Sequence, residues 1–229
     1  MKTKSKALLL TLCAVLLVAA SVLGTMAYLT STGEVKNTFT VGQVKITLDE
    51  AKVDVNGKAL KGDAAERVTE NSYKLLPGHS YDKDPTIHVD PSSEDCFIRA
   101  KVTINNANEW QALVKKYAAG NLTNIITGFD DSIWWVDSKY TTIDTVKDTI
   151  TYTFVYKNEN HTEELSKRIW TKSDSIDLVL FTGIIMPDEL TNEEIAEVAN
   201  TEITVIAEAI QADGFTSEAD AWAAFAGRQ

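Results

Sequence analysis

The histidines are the residues with the clearest potential for metal chemistry. His79 and His88 share one stretch with Asp84 and Asp90, and the third histidine is His161. A zinc protease needs several converging ligands and a general base, as in the helical pattern His-Glu-x-x-His. His161 is followed by Thr-Glu-Glu and lacks the second histidine. If His79 and His88 converge across a hairpin, these two histidines together with Asp84 and Asp90 are the candidate metal ligands. We favour the interpretation that they are ordinary surface residues.

The same stretch contains several carboxylates that could attract a hard cation. They are Asp82, Asp84, Asp90, Glu94 and Asp95. Calcium takes carboxylate and carbonyl oxygens, usually from a loop of the Asp-x-Asp-x-Asp-Gly type. No such loop occurs in the sequence, which favours a solvated charged loop. We therefore predict no cofactor and no catalytic residue, and leave zinc and calcium open.

Two adjacent tryptophans, Trp134 and Trp135, resemble a platform on which a sugar ring could stack. Neighbouring residues of a strand point to opposite faces, so one of the two indoles is expected in the core. A monomeric surface module for carbohydrate binding or adhesion remains an alternative on this basis.

The amino terminus has the pattern of an export signal. Three lysines precede an apolar run over residues 7–23, and the small residues Thr25 and Ala27 stand at the −3 and −1 positions of a cut before Tyr28. We predict that residues 1–27 are a signal peptide and that the chain is secreted. The run is also near the lower length limit of a membrane-spanning helix, so a retained anchor is the alternative.

Composition limits the choice of partner. Removal of residues 1–27 takes three lysines and no acidic residue from the 22 basic and 33 acidic residues, which leaves a net charge of −14. Such acidity disfavours nucleic acid as a partner. Cys96 is then the only cysteine, so stability must come from a packed core without an internal disulfide.

Alternation of apolar and polar residues predicts a mainly β protein. The predicted strands include one through Val44, Ile46 and Leu48, and others over 96–104, 149–156, 176–185 and 201–211. Cys96 falls on the apolar face of its strand, and the apolar run 176–185 predicts a central strand buried on both faces. Three short helices are predicted, with an apolar stripe through Trp110, a capping box at Thr191 and a closing helix over 217–226.

These elements predict one all-β domain over residues 41–229, preceded by a strand-like segment at 28–40. The expected fold is an antiparallel β-sandwich with about three short decorating helices.

Several motifs, in this order, resemble the TasA/camelysin (CalY) family of exported proteins from Gram-positive bacteria. They are Thr-Met-Ala-Tyr-Leu-Thr-Ser-Thr at 25–32, Asn-Thr-Phe-Thr-Val-Gly-Gln-Val at 37–44, Leu-Pro-Gly at 76–78, Lys-Asp-Pro-Thr-Ile-His-Val at 83–89, Glu-Asp-Cys-Phe-Ile-Arg-Ala-Lys-Val at 94–102, Ala-Ile-Gln-Ala-Asp-Gly-Phe at 209–215 and Ala-Trp-Ala-Ala at 221–224. The resemblance covers most of the chain, and no family motif is found over 105–170.

The resemblance implies a jelly-roll-like sandwich that polymerises into extracellular fibres of the biofilm matrix. A SipW-type signal peptidase would release the amino terminus, which would then complete the sheet of a neighbouring copy. The residues expected to fill that groove are Tyr28, Leu29, Val35, Phe39 and Val41. The other interpretation of 28–41 is that it forms the domain's own first strand.

The family also implies further partners and an alternative activity. An accessory matrix protein or a cell-wall anchor protein would join the homopolymer at the cell surface. Some family members are labelled metallopeptidases, so a cell-surface metallopeptidase is the alternative, although this chain has no His-Glu-x-x-His motif.

Overall fold

The computed structural model describes residues 12–17, 43–136, 141–157 and 176–227. The chain divides into two compact units, Met1–Val41 and Gly42–Gln229. In the first unit, residues 12–17 are helical and are called α1. The described elements of the second unit are β1 (Ile46–Ala51), β2 (Arg67–Val68), β3 (Ser80–Asp82), β4 (Thr86–Val89), β5 (Cys96–Asn105), α2 (Ala107–Tyr117), β6 (Ile126–Thr127), β7 (Trp134–Val136), β8 (Thr142–Asp144), β9 (Thr149–Tyr156), β10 (Ile176–Val179), β11 (Gly183–Ile185), α3 (Asn192–Val198), β12 (Ile203–Gln211) and α4 (Glu218–Ala226).

The strands form three antiparallel sheets. A four-stranded sheet has the order β10-β4-β1-β2, and a three-stranded sheet has the order β3-β11-β6. The largest sheet has the order β12-β5-β9-β7, and β8 also pairs with β9. The prediction of a mainly β protein is therefore confirmed.

Strand β5 lies at the centre of the packing because one of its faces is wholly apolar. The side chains of Ile98 and Val102 are 1% and 2% exposed, and Cys96 is buried beside them. Val102 lies opposite Val205 of β12 and Tyr152 of β9, so three strands present apolar residues to the same side. One core joins these side chains to buried residues of β4, α2, β7 and the segment after β10. The predicted strand over 96–104 and the buried position of Cys96 are confirmed.

All three predicted helices are present, and two of them begin with a side-chain cap. The Thr191 hydroxyl accepts from the Glu194 amide, and the Glu194 carboxylate accepts from the Thr191 amide, which is the predicted capping box. Ser217 caps α4 in the same way through the Asp220 amide. Helix α2 turns Trp110, Leu113 and Val114 into the core.

The prediction of one central strand over 176–185 is wrong. The segment forms two short strands in different sheets: β10 lies at one end of the four-stranded sheet, and β11 lies in the middle of the three-stranded sheet. Between them, the Leu180 amide donates to the Pro85 carbonyl and the Thr182 amide donates to the Thr127 carbonyl. Leu180 and Phe181 stay buried through this change of sheet, which explains why the apolar run is continuous although the strand is not.

Candidate functional site

The predicted processing and donor residues fall in the part of the chain that the structure leaves undescribed. The residues outside the described part of the chain are Thr25, Ala27 and Tyr28 at the cleavage point, and Leu29, Val35, Phe39 and Val41 of the donor segment. The predictions for these residues stay predictions.

The candidate metal ligands do not converge, because β3 and β4 belong to different sheets and do not form a hairpin. The His79 ring contacts the Pro77 carbonyl, whereas the His88 ring lies between Asp49 and Asp177. Asp84 accepts from Arg67 and from the Ala51 amide. Asp90 pairs with Lys45. The hairpin that the metal-site alternative required is therefore not formed between β3 and β4.

Within residues 12–17, 43–136, 141–157 and 176–227, no group of three or more histidine, cysteine or acidic side chains is arranged to hold a metal ion. No helix in that same part of the chain has the length and apolar character needed to cross a membrane.

The tryptophan pair is divided between core and periphery, as alternation predicts. Trp134 is 0% exposed, and Trp135 is partly buried. The Trp134 indole N–H donates to the Val179 carbonyl of β10 at 2.7 Å, which links the edge of the five-stranded sheet to the edge of the four-stranded sheet. Its ring also packs edge-on against Tyr156, with centroids 5.7 Å apart. This side of the core is thus closed by a structural residue rather than presented as a sugar platform.

The opposite side of the five-stranded sheet ends in β12, whose outer edge pairs with no described strand. The Ala212 amide donates to Asp95, and the Glu202 carbonyl accepts from Asn105, so even-numbered residues of β12 bond to β5 in the antiparallel ladder. Odd-numbered residues then direct their N–H and C=O groups away from β5. Among the described residues, these outward groups have no hydrogen-bond partner; they belong to Ile203, Val205, Ala207, Ala209 and Gln211.

Strand β1 has a similar free edge on the neighbouring sheet. The Lys45 carbonyl accepts from Asp90, which assigns odd-numbered residues of β1 to the ladder with β4. Strand β2 covers only the end of β1, at Glu50 and Ala51. The backbone groups of Ile46 and Leu48 therefore point away from β4 without a partner in the described part of the chain. Some Cα atoms of β1 and β12 lie within 8 Å of each other.

The inward apolar side chains along these two edges are incompletely covered. These side chains pack against the core but are only partly buried. They are Ile203, Val205, Ala207 and Ala209 of β12, and Val44, Ile46 and Leu48 in and before β1. Their neighbours one strand further inward, such as Ile87 on β4 and Ala100 on β5, are 0% exposed. We call this region, with its outward backbone groups and half-covered apolar side chains, the β1–β12 slot.

The outer face of β12 is fixed by a charged cluster. The Glu208 carboxylate accepts from Arg99 at 2.5 Å and from Lys101 at 2.8 Å. Desolvation alone would raise the pKa of Glu208, but these hydrogen bonds outweigh it and hold the pKa below its ordinary value. The Arg99 guanidinium stacks on Trp222 of α4, 4.0 Å from the ring centroid. The edge strand is therefore held firmly to β5 and α4 although its other side is free.

Sequence reasoning did not identify this slot. Alternation predicts a strand over 201–211, but strand order within a sheet has no local signal in the sequence, so alternation does not reveal that β12 stands at an edge.

Comparisons of the chain with protein-family models, with curated proteins and with solved structures give no match.

Proposed function

We propose that this chain is an exported structural protein of the TasA/camelysin type, secreted by a Gram-positive bacterium. It polymerises into fibres of the extracellular biofilm matrix by head-to-tail donation of its amino-terminal strand. The observation that supports this proposal is the β1–β12 slot, which has the two properties that an acceptor needs. Its backbone groups offer a ladder to an added strand, and its half-covered apolar side chains gain burial when one arrives.

The segment 28–41 has the matching pattern for a donor. Leu29, Val35, Phe39 and Val41 all occupy odd positions, so an extended chain presents the four on one face. Tyr28 falls on the other face. One face of the donor would thus complete the apolar core of a neighbouring copy, while its backbone pairs with β12.

Transfer of a strand from one copy to the next is a head-to-tail contact. Such a contact does not use the same patch on both partners, so it produces a filament unless the rotation between copies closes a ring. The net charge of −14 after cleavage makes close approach of copies costly except where backbone pairing and apolar burial offset the repulsion. Salt in the medium reduces this repulsion.

Acceptance of a strand requires a small opening of the slot. Strands lie about 4.8 Å apart within a sheet, so a strand between two others separates them by about 9.6 Å. Strands β1 and β12 come within 8 Å in places. The two edges must therefore move apart by a few ångströms, which favours slow entry and an equally slow release.

A matched pair of variants tests the proposal. Ala207→Lys places a long charged side chain on the slot face of β12, and Ile206→Lys places the same side chain on the outer face, where Ile206 is already 51% exposed. Because the slot side is open, the lysine introduced on that face can extend to solvent and leave the monomer folded. Electron microscopy should show filaments for the natural protein and for Ile206→Lys, and none for Ala207→Lys. Normal filaments from a folded Ala207→Lys variant would contradict the proposal.

A further inference from the structure

The outer face of the four-stranded sheet contains a histidine held by two carboxylates from different strands. On β4, the His88 Nε2 atom lies 2.8 Å from Asp49 of β1, and its Nδ1 atom lies 2.7 Å from Asp177 of β10. In the strand register, Asp177 of β10 is directly opposite His88. The residue of β1 opposite His88 is Thr47, and Asp49 lies two residues further along β1. A single ring therefore connects three strands.

The geometry requires a particular protonation state. A neutral imidazole has one N–H donor and one acceptor nitrogen, whereas an ionised carboxylate only accepts. Two carboxylates are satisfied together only by an imidazolium, which donates from both nitrogens. Both contacts are then charge-assisted and stronger than neutral hydrogen bonds.

The neighbouring charges support this arrangement. Arg67 of β2 donates to Asp49 and, at 2.8 Å, to Asp84. Lys45 and Asp90 form a separate pair 2.7 Å apart, where β1 begins and β4 ends. The described charges near His88 are thus Asp49 and Asp177 in direct contact, with Arg67, Asp84 and the Lys45–Asp90 pair farther out.

We propose that Asp49, His88 and Asp177 form a proton-dependent latch that holds the edge strand β10 on β4. Strand β10 has only four residues, and its Val179 carbonyl accepts the Trp134 indole N–H that closes one side of the core. Release of β10 would expose the edge of β4 and weaken that closure, so the latch keeps the molecule from presenting a further unpaired edge. This inference does not depend on strand donation, because it concerns the unassembled protein.

The direction of the pH dependence follows from linkage. Desolvation by itself lowers the pKa of His88, but the hydrogen bonds that the ring donates to Asp49 and Asp177 outweigh it and raise the pKa above its ordinary value. The contribution of His88 is therefore complete below its unfolded pKa of about 6.5 and is lost as pH rises through its higher folded pKa. For the acidic Asp49, desolvation by itself raises the pKa, but the hydrogen bonds that it accepts from His88 and Arg67 outweigh this effect and lower the pKa overall. Its contribution is therefore lost only in strong acid.

The test follows the ring protons of His88 and the amide exchange of Leu178 by NMR in the purified, unassembled protein, between pH 5.5 and pH 9. His88 should titrate above the ordinary histidine pKa of about 6.5, because its ring contacts two carboxylates. His88→Gln should reduce the protection of the Leu178 amide about two- to fivefold at pH 5.5, in the range expected for partly exposed ion pairs. This difference should disappear near pH 9.

Two further variants separate titration from structure. Asp177→Asn keeps a polar side chain at a position whose side chain is 59% exposed, so the variant should fold, while the midpoint of His88 should fall. His79→Gln should leave the protection of Leu178 unchanged at every pH. A His88 midpoint at or below the ordinary histidine pKa of about 6.5, or a loss of protection in His88→Gln that is the same at all pH values, would overturn the latch. Because filaments play no part in these measurements, their outcome is separate from that of strand donation.

Discussion

Side chains of β5 divide between two environments that differ in what they contribute to stability. Ile98 and Val102 face the shared core and are almost fully buried. Arg99 and Lys101 face the other way and converge on Glu208. Burial of apolar area stabilises the fold through the first pair, whereas the second pair positions the edge strand and α4.

Alanine substitution along β5 tests this division. Ile98→Ala and Val102→Ala should each reduce the free energy of unfolding by about 1–4 kcal/mol, because each loses buried methyl groups and leaves a cavity. Lys101→Ala should cost less than about 1 kcal/mol, since Arg99 still pairs with Glu208. Urea unfolding of the three variants gives the comparison. Equal losses at all three positions would show that the strand faces are wrongly assigned.

Features of the secondary structure that depend on neighbouring residues, such as helix caps and strand faces, agree with the sequence prediction. Features that depend on which strands pair, such as the division of a strand between two sheets, do not. The helix start at Thr191 needs only a hydroxyl and a carboxylate three residues apart, and it was predicted correctly. The faces of β5, β9 and β12 follow from alternation alone. The apolar run 176–185 was misassigned because hydropathy cannot show where a chain passes from one sheet to another. The β1–β12 slot was missed for the same reason, since strand order is not a local property.

The cap of α3 provides a prediction at this scale. Thr191→Ala should lower the free energy of unfolding by about 1 kcal/mol, because it leaves the Glu194 amide without its acceptor. Asn192→Ala, one residue later and exposed, is the matched control and should have little effect. Chemical denaturation of both variants measures the difference. Equal stability of the two variants would contradict the assigned cap.

The same cap should weaken in acid. Hydrogen bonds from Lys116, from the Thr191 amide and from Tyr117 lower the pKa of Glu194 to about 2. A depressed folded pKa means that the stabilising contribution is present above the unfolded pKa of about 4.3 and is lost as pH falls towards 2. Glu194→Gln should therefore be less stable than the natural chain at pH 6, with a smaller difference at pH 2. A difference independent of pH would contradict this assignment.

At the scale of the whole molecule, the two sides of the core differ. Trp134 closes the side where β7 and β10 meet, whereas no described strand covers β1 and β12 on the other side. The mainly β class was predicted from sequence, but this asymmetry was not, because it depends on which strands end each sheet. In the described part of the chain, an unfilled slot on this side suits the proposed subunit that accepts one strand and gives one away.

Donation requires a free amino terminus at the right residue. We predict processing between Ala27 and Tyr28, since Thr25 and Ala27 are the small residues that a signal peptidase recognises. Amino-terminal sequencing of the secreted protein should read Tyr-Leu-Thr-Ser-Thr. A first residue within 33–45, or an uncut membrane-bound form, would contradict the predicted cleavage.

The central claim is that the segment after the cleavage point joins one copy to the next, and its removal is the most direct test. The chain that starts at Tyr28 should form regular filaments by electron microscopy. A chain that lacks residues 28–36 should fold, because the described strands begin at Ile46, but should stay monomeric. A peptide of residues 28–41 should bind the shortened protein and raise its melting temperature, as a ligand specific for the folded state does. Filaments from the shortened chain that equal those of the full mature chain would contradict the account.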